Sequence, residues 1–207
     1  GVISAIVCDV TDVNQIETTF QKLINDHGRV DILVNNAGTS SASPFDETSD
    51  EVWDYDIELK VYGAIRCSRI AVEHMKNQGG GRIVNITTPG GKAPGPSSVP
   101  TSVSRAAGIA LTKAMSKDLA SDNILVNTVG VGLIKSGQHR RRWEKINEQD
   151  ANVSLDDFYE DMGSRVPMGR VGEAKEVGSV VAFLVSDRGS YVTGASINVD
   201  GGTSPVV

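Results

Sequence analysis

Short runs of valine, isoleucine and leucine recur along this chain, and a longer segment with helical periodicity separates most of them. Runs of this kind, without polar alternation, are typical of strands that are buried on both faces of a parallel sheet. They lie at residues 3–7, 30–34, 82–86, 124–129 and 195–199. The alternation of strands with helices predicts an α/β fold built on a doubly wound parallel sheet.

The predicted helices begin and end at residue types that suit those positions. They lie at about 12–27, 49–76, 101–120 and 174–186, with further short helices in a polar insertion at 138–165. Gly28 follows the first helix, where glycine is common, and Pro100 precedes the third, where proline is tolerated. A chain of 207 residues corresponds to one domain at roughly 100 to 200 residues per domain.

Polar residues and glycines follow each predicted strand. A doubly wound sheet binds its ligand at the carboxyl ends of the strands. The candidate functional residues are therefore expected in these segments.

Charge and cysteine content exclude several classes of function. The chain has 20 lysines and arginines against 26 aspartates and glutamates, a formal net charge of −6, which is the wrong sign for binding a nucleic-acid backbone. Two cysteines, Cys8 and Cys67, are too few for a disulfide framework and suit a reducing compartment. No apolar run approaches the roughly 18 residues of a membrane span, and the histidines lack the spacing of metal ligands. We expect a cytoplasmic protein without nucleic-acid, membrane or metal partners.

Six segments carry a resemblance to a known family: Cys8-Asp9-Val10-Thr11-Asp12, Asp31-Ile32-Leu33-Val34-Asn35-Asn36-Ala37-Gly38, Gly81-Arg82-Ile83-Val84-Asn85-Ile86, Ser104-Arg105-Ala106-Ala107-Gly108, Val126-Asn127-Thr128-Val129, and Tyr191-Val192-Thr193-Gly194 with Val199-Asp200-Gly201-Gly202. In these segments, and in their order and spacing, the chain resembles the short-chain dehydrogenases/reductases nearly from end to end. The resemblance implies a Rossmann-like fold and an NAD(P)-dependent oxidoreductase that transfers a hydride between nicotinamide and a small-molecule carbonyl or alcohol. It also implies a homo-oligomer, a dimer or tetramer, formed through the two longest helices.

The same resemblance implies where NAD or NADP binds. The carried-over residues follow the strands: Asp9, with Val10 beside it, at the adenine; Asn35, Ala37 and Gly38 at the adenine ribose; Arg105 at the nicotinamide ribose; Ile134 and Ser136 at the nicotinamide carboxamide. Taken alone, Asp9 is equally an acid near a helix N-terminus, and Ser136 is equally a helix cap. The sequence does not choose between NAD and NADP, because relatives make that choice at a strand that it does not contain.

One element of the family pattern does not occur in the sequence. Family members begin with a strand, a Thr-Gly-x-x-x-Gly-x-Gly turn and a helix, whose backbone amides cradle the pyrophosphate. Nothing here matches that turn, and the first predicted strand corresponds to the family's third. We expect the 207 residues to be part of a longer gene product, and the alternative is a truncated chain with a rearranged sheet. In the family the absent strand-helix-strand unit supplies strands at the centre of the sheet, so residues 3–7 would lack their usual neighbouring strands.

The catalytic group of the family is also changed. By resemblance, Thr101 stands where the family has a tyrosine, and Arg105 stands where it has a lysine four residues later. Thr88 matches the serine that holds the carbonyl, and Lys60 matches the asparagine of the long helix. A tyrosine phenol, with an ordinary pKa of about 10, can lend a proton, whereas a threonine hydroxyl is too weak an acid to do so alone. Arginine does not give up its proton.

Lys60 is the residue that could supply the missing proton. A desolvated lysine beside Arg105 would have a lowered pKa and could serve as an acid or a base. The alternative is a surface lysine whose stem lies along the helix. Tyr62 is two positions away and points to another side of the helix, so it is a poorer replacement. Thr88, Thr101, Arg105 and Lys60 are therefore the expected catalytic residues.

Three interpretations of the function remain open at the level of sequence. One is an oxidoreductase with an altered proton relay, and another is a catalytically degenerate relative that binds a nucleotide or a partner protein. The third is a structural subunit that contributes its two long helices to an oligomer in which another chain is active. The single domain, 1–207, carries its polar insertion at about 137–165, where relatives have a substrate lid. The arginines at 140–142 either bind an anionic substrate or form a solvated helix face balanced by Glu144, Glu148 and Asp150.

Overall fold

One parallel sheet forms the centre of the computed structural model, which describes residues 3–148 and 153–207. Its four strands lie in spatial order as β1 (Ile32–Asn35), β2 (Gly81–Thr87), β3 (Ile124–Val131) and β4 (Ser196–Val199). Val34 pairs with Val84 across the first two strands, and Val129 pairs with Ile197 across the last two. The predicted α/β fold with a parallel sheet is confirmed.

Helices cover the sheet. Within the described residues they are α1 (Val13–His27), α2 (Asp50–Ile57), α3 (Gly63–Asn77), α4 (Thr101–Asp118), α5 (Gly137–Asn147), α6 (Leu155–Ser164) and α7 (Ala174–Val185). A π-helical turn at Glu58–Tyr62 joins α2 directly to α3. The single long helix predicted at 49–76 is therefore present, but it contains one wider turn.

The ends of α1 show why this segment folds as a helix. The Asp12 carboxylate accepts hydrogen bonds from the backbone N–H groups of Asn14 and Gln15, at 2.9 and 3.2 Å, and so caps the first turn. Gly28 ends the helix in a left-handed conformation with φ of 74°, which glycine adopts without steric cost. The predicted start and end of this helix are confirmed.

The core has two layers because successive residues of β2 point to opposite faces of the sheet. Ile83 packs with residues of α3 and α1 on one face, among them Ala71 and Met75. Val84 packs with Leu184 of α7 on the other face. Helix α4 packs against β2, β3 and the π turn.

The predicted strand at residues 3–7 is wrong. This segment has no regular secondary structure, and Ile3 and Val7 are each 97 % exposed. A strand needs a neighbour for its backbone hydrogen bonds, and among the described residues β1 pairs with β2 alone. The hydrophobic pattern of residues 3–7 therefore has no partner strand to satisfy it.

The polar insertion forms α5 and α6, as predicted. Trp143 Nε1 donates a hydrogen bond to the Val153 carbonyl at 2.9 Å, and Phe158 of α6 is buried in a cluster with Val171 and Trp143 of α5. The arginines at 140–142 are exposed on α5, whereas Asp150, expected to balance them, lies outside the described residues. In the part of the chain that is described, no helix has the length and apolar character needed to cross a bilayer.

Candidate active site

A cavity of about 280 Å³ lies at the carboxyl ends of β1 and β2, between α1, the π turn and α4. Mostly apolar residues line it, together with five residues predicted from the sequence: Val10, Asn35, Ala37, Lys60 and Arg105. We call it the strand-end cavity. Its position agrees with the rule that parallel sheets bind ligands beyond the carboxyl ends of their strands.

Lys60 is inside the protein, in the middle of the π turn. Its side chain is 1 % exposed, and Nζ donates hydrogen bonds to the Asp56 carboxylate and, at 3.2 Å, to Thr101 Oγ1. Turns of this kind within α-helices are frequent at functional sites. The alternative that Lys60 is an ordinary surface lysine is wrong.

Asp56 holds Lys60 from the preceding turn of the helix. It is fully buried, and its two oxygens have different partners. One oxygen accepts from Lys60 Nζ, and Oδ2 accepts from Ser104 Oγ at 2.6 Å. Because each oxygen of the carboxylate has a donor, the negative charge is stabilised at a fixed position beside the lysine.

Thr101 lies at the first position of α4 and contacts Lys60 of this pair, although it does not itself line the strand-end cavity. Its Oγ1 accepts hydrogen bonds from the backbone N–H of Ser41, at 2.9 Å, and from Lys60 Nζ. A hydroxyl has two acceptor positions and one donor. Because both acceptor positions are filled, the O–H of Thr101 remains as a donor.

Burial sets the protonation of the two cations in the cavity. It lowers the pKa of the Lys60 ammonium below its ordinary value; Asp56 partly offsets this, and the Arg105 charge adds a smaller lowering. Burial also lowers the pKa of Arg105, but a guanidinium keeps its proton in proteins. Lys60 is therefore the cation here that can exchange a proton.

Arg105 lies across the ends of two strands. Its Nη1 donates to the Ile86 carbonyl at 2.8 Å, and a Cβ added to Gly38 would come within 2.7 Å of its Nη2. Glycine at position 38 thus gives the guanidinium room beside the turn that follows β1. Arg105 Nε is buried and has no hydrogen-bond partner among the described residues, so it remains a donor for a ligand.

Thr88 follows β2 directly. Its backbone is extended and its carbonyl accepts from the Gly91 N–H at 3.0 Å, which starts a short turn. The residue is half-buried and lies two positions after Ile86, whose carbonyl binds Arg105. The structure thus brings together Lys60, Thr101 and Arg105, with Thr88 at the neighbouring strand end.

The Asn35 side chain connects β1 to α3 and β2 by hydrogen bonds. Its Nδ2 donates to Ser68 Oγ at 3.1 Å and to Asn85 Oδ1 at 2.8 Å, and Asn85 Nδ2 donates to Thr112 Oγ1 at 2.8 Å. Thr128 Oγ1 donates to the same Thr112 oxygen at 2.7 Å. This network fixes the relative positions of β1, β2, β3 and α4 below the cavity.

Val10 lines the strand-end cavity, and Asp9 precedes it in the chain without lining the cavity. The Asp9 carboxylate is exposed and accepts from the N–H and hydroxyl of Thr11 at 2.9 and 2.8 Å, and these bonds lower its pKa. A Cβ at Gly63 would lie 3.1 Å from Val10 Cγ2, so Val10 packs directly on the start of α3. The loop that carries Asp9 is thereby attached to the long helix.

Ile134 and Ser136 lie elsewhere. Ile134 is buried in the wall of a second cavity, of about 480 Å³, with Gly172 and residues that follow β4. Ser136 caps α5, since its Oγ accepts from the His139 N–H at 3.3 Å. The described contacts of Ser136 are those of the helix cap, and neither residue lines the strand-end cavity.

Asp56, Ser104 and Ser41 are site residues that the sequence analysis missed. A signal for Asp56 exists, because positions 56, 60, 63, 67, 71 and 75 follow a helical stripe that is buried in the structure. Two charged residues at the start of an otherwise apolar or small-residue stripe indicate a buried ion pair. Ser41 contributes only its backbone N–H, for which no sequence signal exists.

Comparisons with known proteins agree with this geometry. A family model described as Enoyl-(Acyl carrier protein) reductase matches residues 1–204. A 3-oxoacyl-[acyl-carrier-protein] reductase FabG of Thermotoga maritima is 36 % identical over 202 residues, which cover 98 % of this chain and 77 % of the relative. The chain belongs to the short-chain dehydrogenase/reductase family. Its function at the level of this family is NAD(P)-dependent hydride transfer between nicotinamide and a carbonyl or alcohol.

Solved structures of short-chain dehydrogenases/reductases superpose closely on this member. L-sorbose reductase from Gluconobacter frateurii, complexed with NADPH and L-sorbose, gives a TM-score of 0.92 at 28 % identity, covering 98 % of this chain and 77 % of that one. YwfH, an NADPH dependent reductase involved in bacilysin biosynthesis, gives a TM-score of 0.85 at 32 % identity, with coverages of 98 % and 78 %.

The strand-end cavity of this short-chain dehydrogenase/reductase fits part of an NAD(P) molecule. Arg105 Nε is a buried donor without a partner among the described residues, which suits a ribose hydroxyl. Gly38 leaves the backbone beside it uncovered, and a side chain there would fill the space next to Arg105. The donor set and the space therefore agree with a bound nucleotide.

Proposed function

We propose that this protein reduces the carbonyl group of a small molecule to an alcohol with NAD(P)H, and that Lys60 supplies the proton through Thr101. The hydrogen bond of 3.2 Å from Lys60 Nζ to Thr101 Oγ1 carries this proposal. It places a buried ammonium in contact with the hydroxyl at the position where relatives have their proton donor.

The proton moves along two hydrogen bonds. The O–H of Thr101 donates to the carbonyl oxygen of the substrate and gives it a proton as the C–O bond becomes single. Lys60 returns a proton to Thr101 Oγ1 and becomes a neutral amine, which burial favours. The Thr88 hydroxyl holds the same carbonyl oxygen as a donor. In alcohol oxidation the amine of Lys60 takes the proton back.

NAD(P)H, when bound, supplies the hydride that adds to the carbonyl carbon. Asp9 and Val10 would hold the adenine, and Asn35, Ala37 and Gly38 would border its ribose. Arg105 would bind the nicotinamide ribose through Nε. Ile134 and Ser136 would hold the carboxamide, which requires the segment before α5 to approach the strand-end cavity.

The polar insertion at 137–165 would serve as a substrate lid of the single domain, and its exposed arginines suit substrates with an anionic group. We also propose a cytoplasmic homo-oligomer, a dimer or tetramer. Exposed apolar side chains on α2, the π turn and α4 support an assembly: Tyr55, Tyr62 and Val103 are 55 %, 49 % and 44 % exposed.

Kinetics of Lys60→Met test the proton step. The wild-type protein is titrated with NADH and NADPH by nicotinamide fluorescence, and NAD(P)H consumption is then followed with 3-oxoacyl thioesters, ketoses and simple ketones. Loss of a general acid costs roughly 100- to 10,000-fold in kcat, and we expect a loss in that range. Lys22→Met is the matched control, because Lys22 is an exposed lysine on α1, and it should retain the wild-type rate.

Two results would contradict the proposal. A folded Lys60→Met protein with wild-type kcat would show that another group donates the proton. Failure of the wild-type protein to bind either nucleotide would favour a catalytically degenerate relative that binds a partner protein.

A further inference from the structure

We propose that Asp56 is a positioning residue that keeps Lys60 cationic and directed at Thr101, and thereby sets the pH above which the site no longer gives up a proton. This inference rests on the proposed function, because it assigns the control of the proton that Lys60 supplies.

The geometry gives Asp56 two tasks. Lys60 Nζ donates both to Asp56 and to Thr101 Oγ1, so the carboxylate fixes the direction of the ammonium that contacts the hydroxyl. Ser104 Oγ donates its single hydrogen to Asp56 Oδ2 at 2.6 Å, and the Thr101 carbonyl lies 3.0 Å from the same oxygen. Ser104 therefore fixes the position of the Asp56 carboxylate relative to the first turn of α4, which begins at Thr101.

The charges around Lys60 make the contribution of Asp56 necessary. Helices α2, α3 and α4 pack against the π turn, and the charged groups acting on Lys60 are Asp56 from α2 and Arg105 from α4. On the π turn itself Glu58 is paired with Arg66 of α3 at the surface. Without the Asp56 charge, Lys60 and Arg105 would be two cations in one cavity with no anion of the described residues beside them.

The carboxylate also acts after proton transfer. Once Lys60 has given a proton to Thr101, the Asp56 charge favours uptake of a proton from water by the neutral amine. Burial and Arg105 oppose this uptake. Asp56 thus determines how readily the donor is restored before the next turnover.

The test is Asp56→Asn, which keeps the shape of the side chain and removes its charge. An opposite charge at this range shifts a pKa by about 1 to 3 units, so Lys60 should lose its proton at a pH lower by that amount. The kcat/KM for carbonyl reduction falls as pH rises through the Lys60 pKa. That alkaline decline should move to lower pH by the same interval.

A second measurement does not depend on turnover. NMR titration of protein labelled with ¹³C at lysine Cε reports Lys60 directly, and the resonance that is lost in Lys60→Met identifies it. Asp54→Asn is the matched control, because Asp54 is exposed on the same helix. It should shift neither the Lys60 titration nor the alkaline decline.

Asp56→Glu is a second variant that tests the inference even if Asp56→Asn folds poorly. It keeps the charge, so the Lys60 titration should stay within about one unit of wild type. A larger shift in Asp56→Glu, or an unchanged Lys60 titration in folded Asp56→Asn, would overturn the inference. A shifted titration with no carbonyl reduction by any variant would refute the proposed function and leave the electrostatic role of Asp56 supported.

Discussion

Replacing only one residue of the Asp56–Lys60 pair should lower the free energy of unfolding far more than replacing both residues. The side chains are 0 % and 1 % exposed, so Lys60→Met leaves a buried carboxylate without its cation. Loss of one partner of a buried pair costs about 3 to 5 kcal/mol. Thermal unfolding shifts by about 2 to 4 °C per kcal/mol for a chain of this length. Lys60→Met should therefore lower Tm by roughly 6 to 20 °C.

The double variant Asp56→Leu/Lys60→Met should recover most of that loss. Replacing a buried ion pair by apolar side chains of similar volume is often neutral, or stabilising by about 1 to 4 kcal/mol. Without Asp56, Ser104 can donate its hydrogen to the Thr101 carbonyl, which lies 3.0 Å from Oγ. Urea unfolding at neutral pH of wild type, the two single variants and the double variant gives the coupling free energy. An exposed ion pair contributes less than about 1 kcal/mol. If each single variant lost less than about 1 kcal/mol in free energy of unfolding, and the double variant lost the sum of the two, the reasoning would be refuted.

Three further outcomes follow from contacts described above. Gly38→Ala should raise the Kd for NAD(P)H about tenfold or more, because the alanine Cβ would lie 2.7 Å from Arg105 Nη2. An unchanged Kd, measured by nicotinamide fluorescence, would contradict the proposal that Arg105 binds the nucleotide. Asn85→Ala should cost about 2 to 5 kcal/mol in urea unfolding, since it removes two buried side-chain hydrogen bonds. The Arg170 guanidinium lowers the pKa of Glu176 to about 2, so this carboxylate stabilises the fold above its ordinary pKa. Glu176→Gln should therefore be less stable than wild type near neutral pH, and the difference should disappear as the pH falls from about 4.5 toward 2; a constant difference would contradict it.

Local sequence signals were sufficient for most of the fold. Asp12 and Gly28 mark the ends of α1 because capping depends on residues within one turn. The strand at residues 3–7 failed for the opposite reason, since its pattern is correct but a strand also requires a paired neighbour. The π turn at Glu58–Tyr62 has no clear local signal in the sequence, and in the structure the turn itself packs against α4.

The site was predictable where it depends on helical spacing, and not where it depends on tertiary contacts. Thr101 and Arg105 are four residues apart on one helix, so their common face follows from sequence. The sequence predicted Lys60 beside Arg105, whereas its hydrogen bond to Thr101 is seen only in the structure, because it joins two helices. The link from Ser104 to Asp56 spans 48 residues, and no local rule joins them.

The contact between Lys60 and Thr101 also restricts how this site can change by mutation. A tyrosine at 101 whose ring followed the direction of the present hydroxyl would meet Lys60 Nζ, which lies 3.2 Å away. A change of Lys60 alone to asparagine, the residue that the family has at this position, would leave Asp56 buried without its cation. A return to the usual catalytic group of the family therefore passes through intermediates that clash or carry an unpaired charge. We therefore expect substitutions at positions 56, 60 and 101 to be epistatic, because these three side chains are in contact.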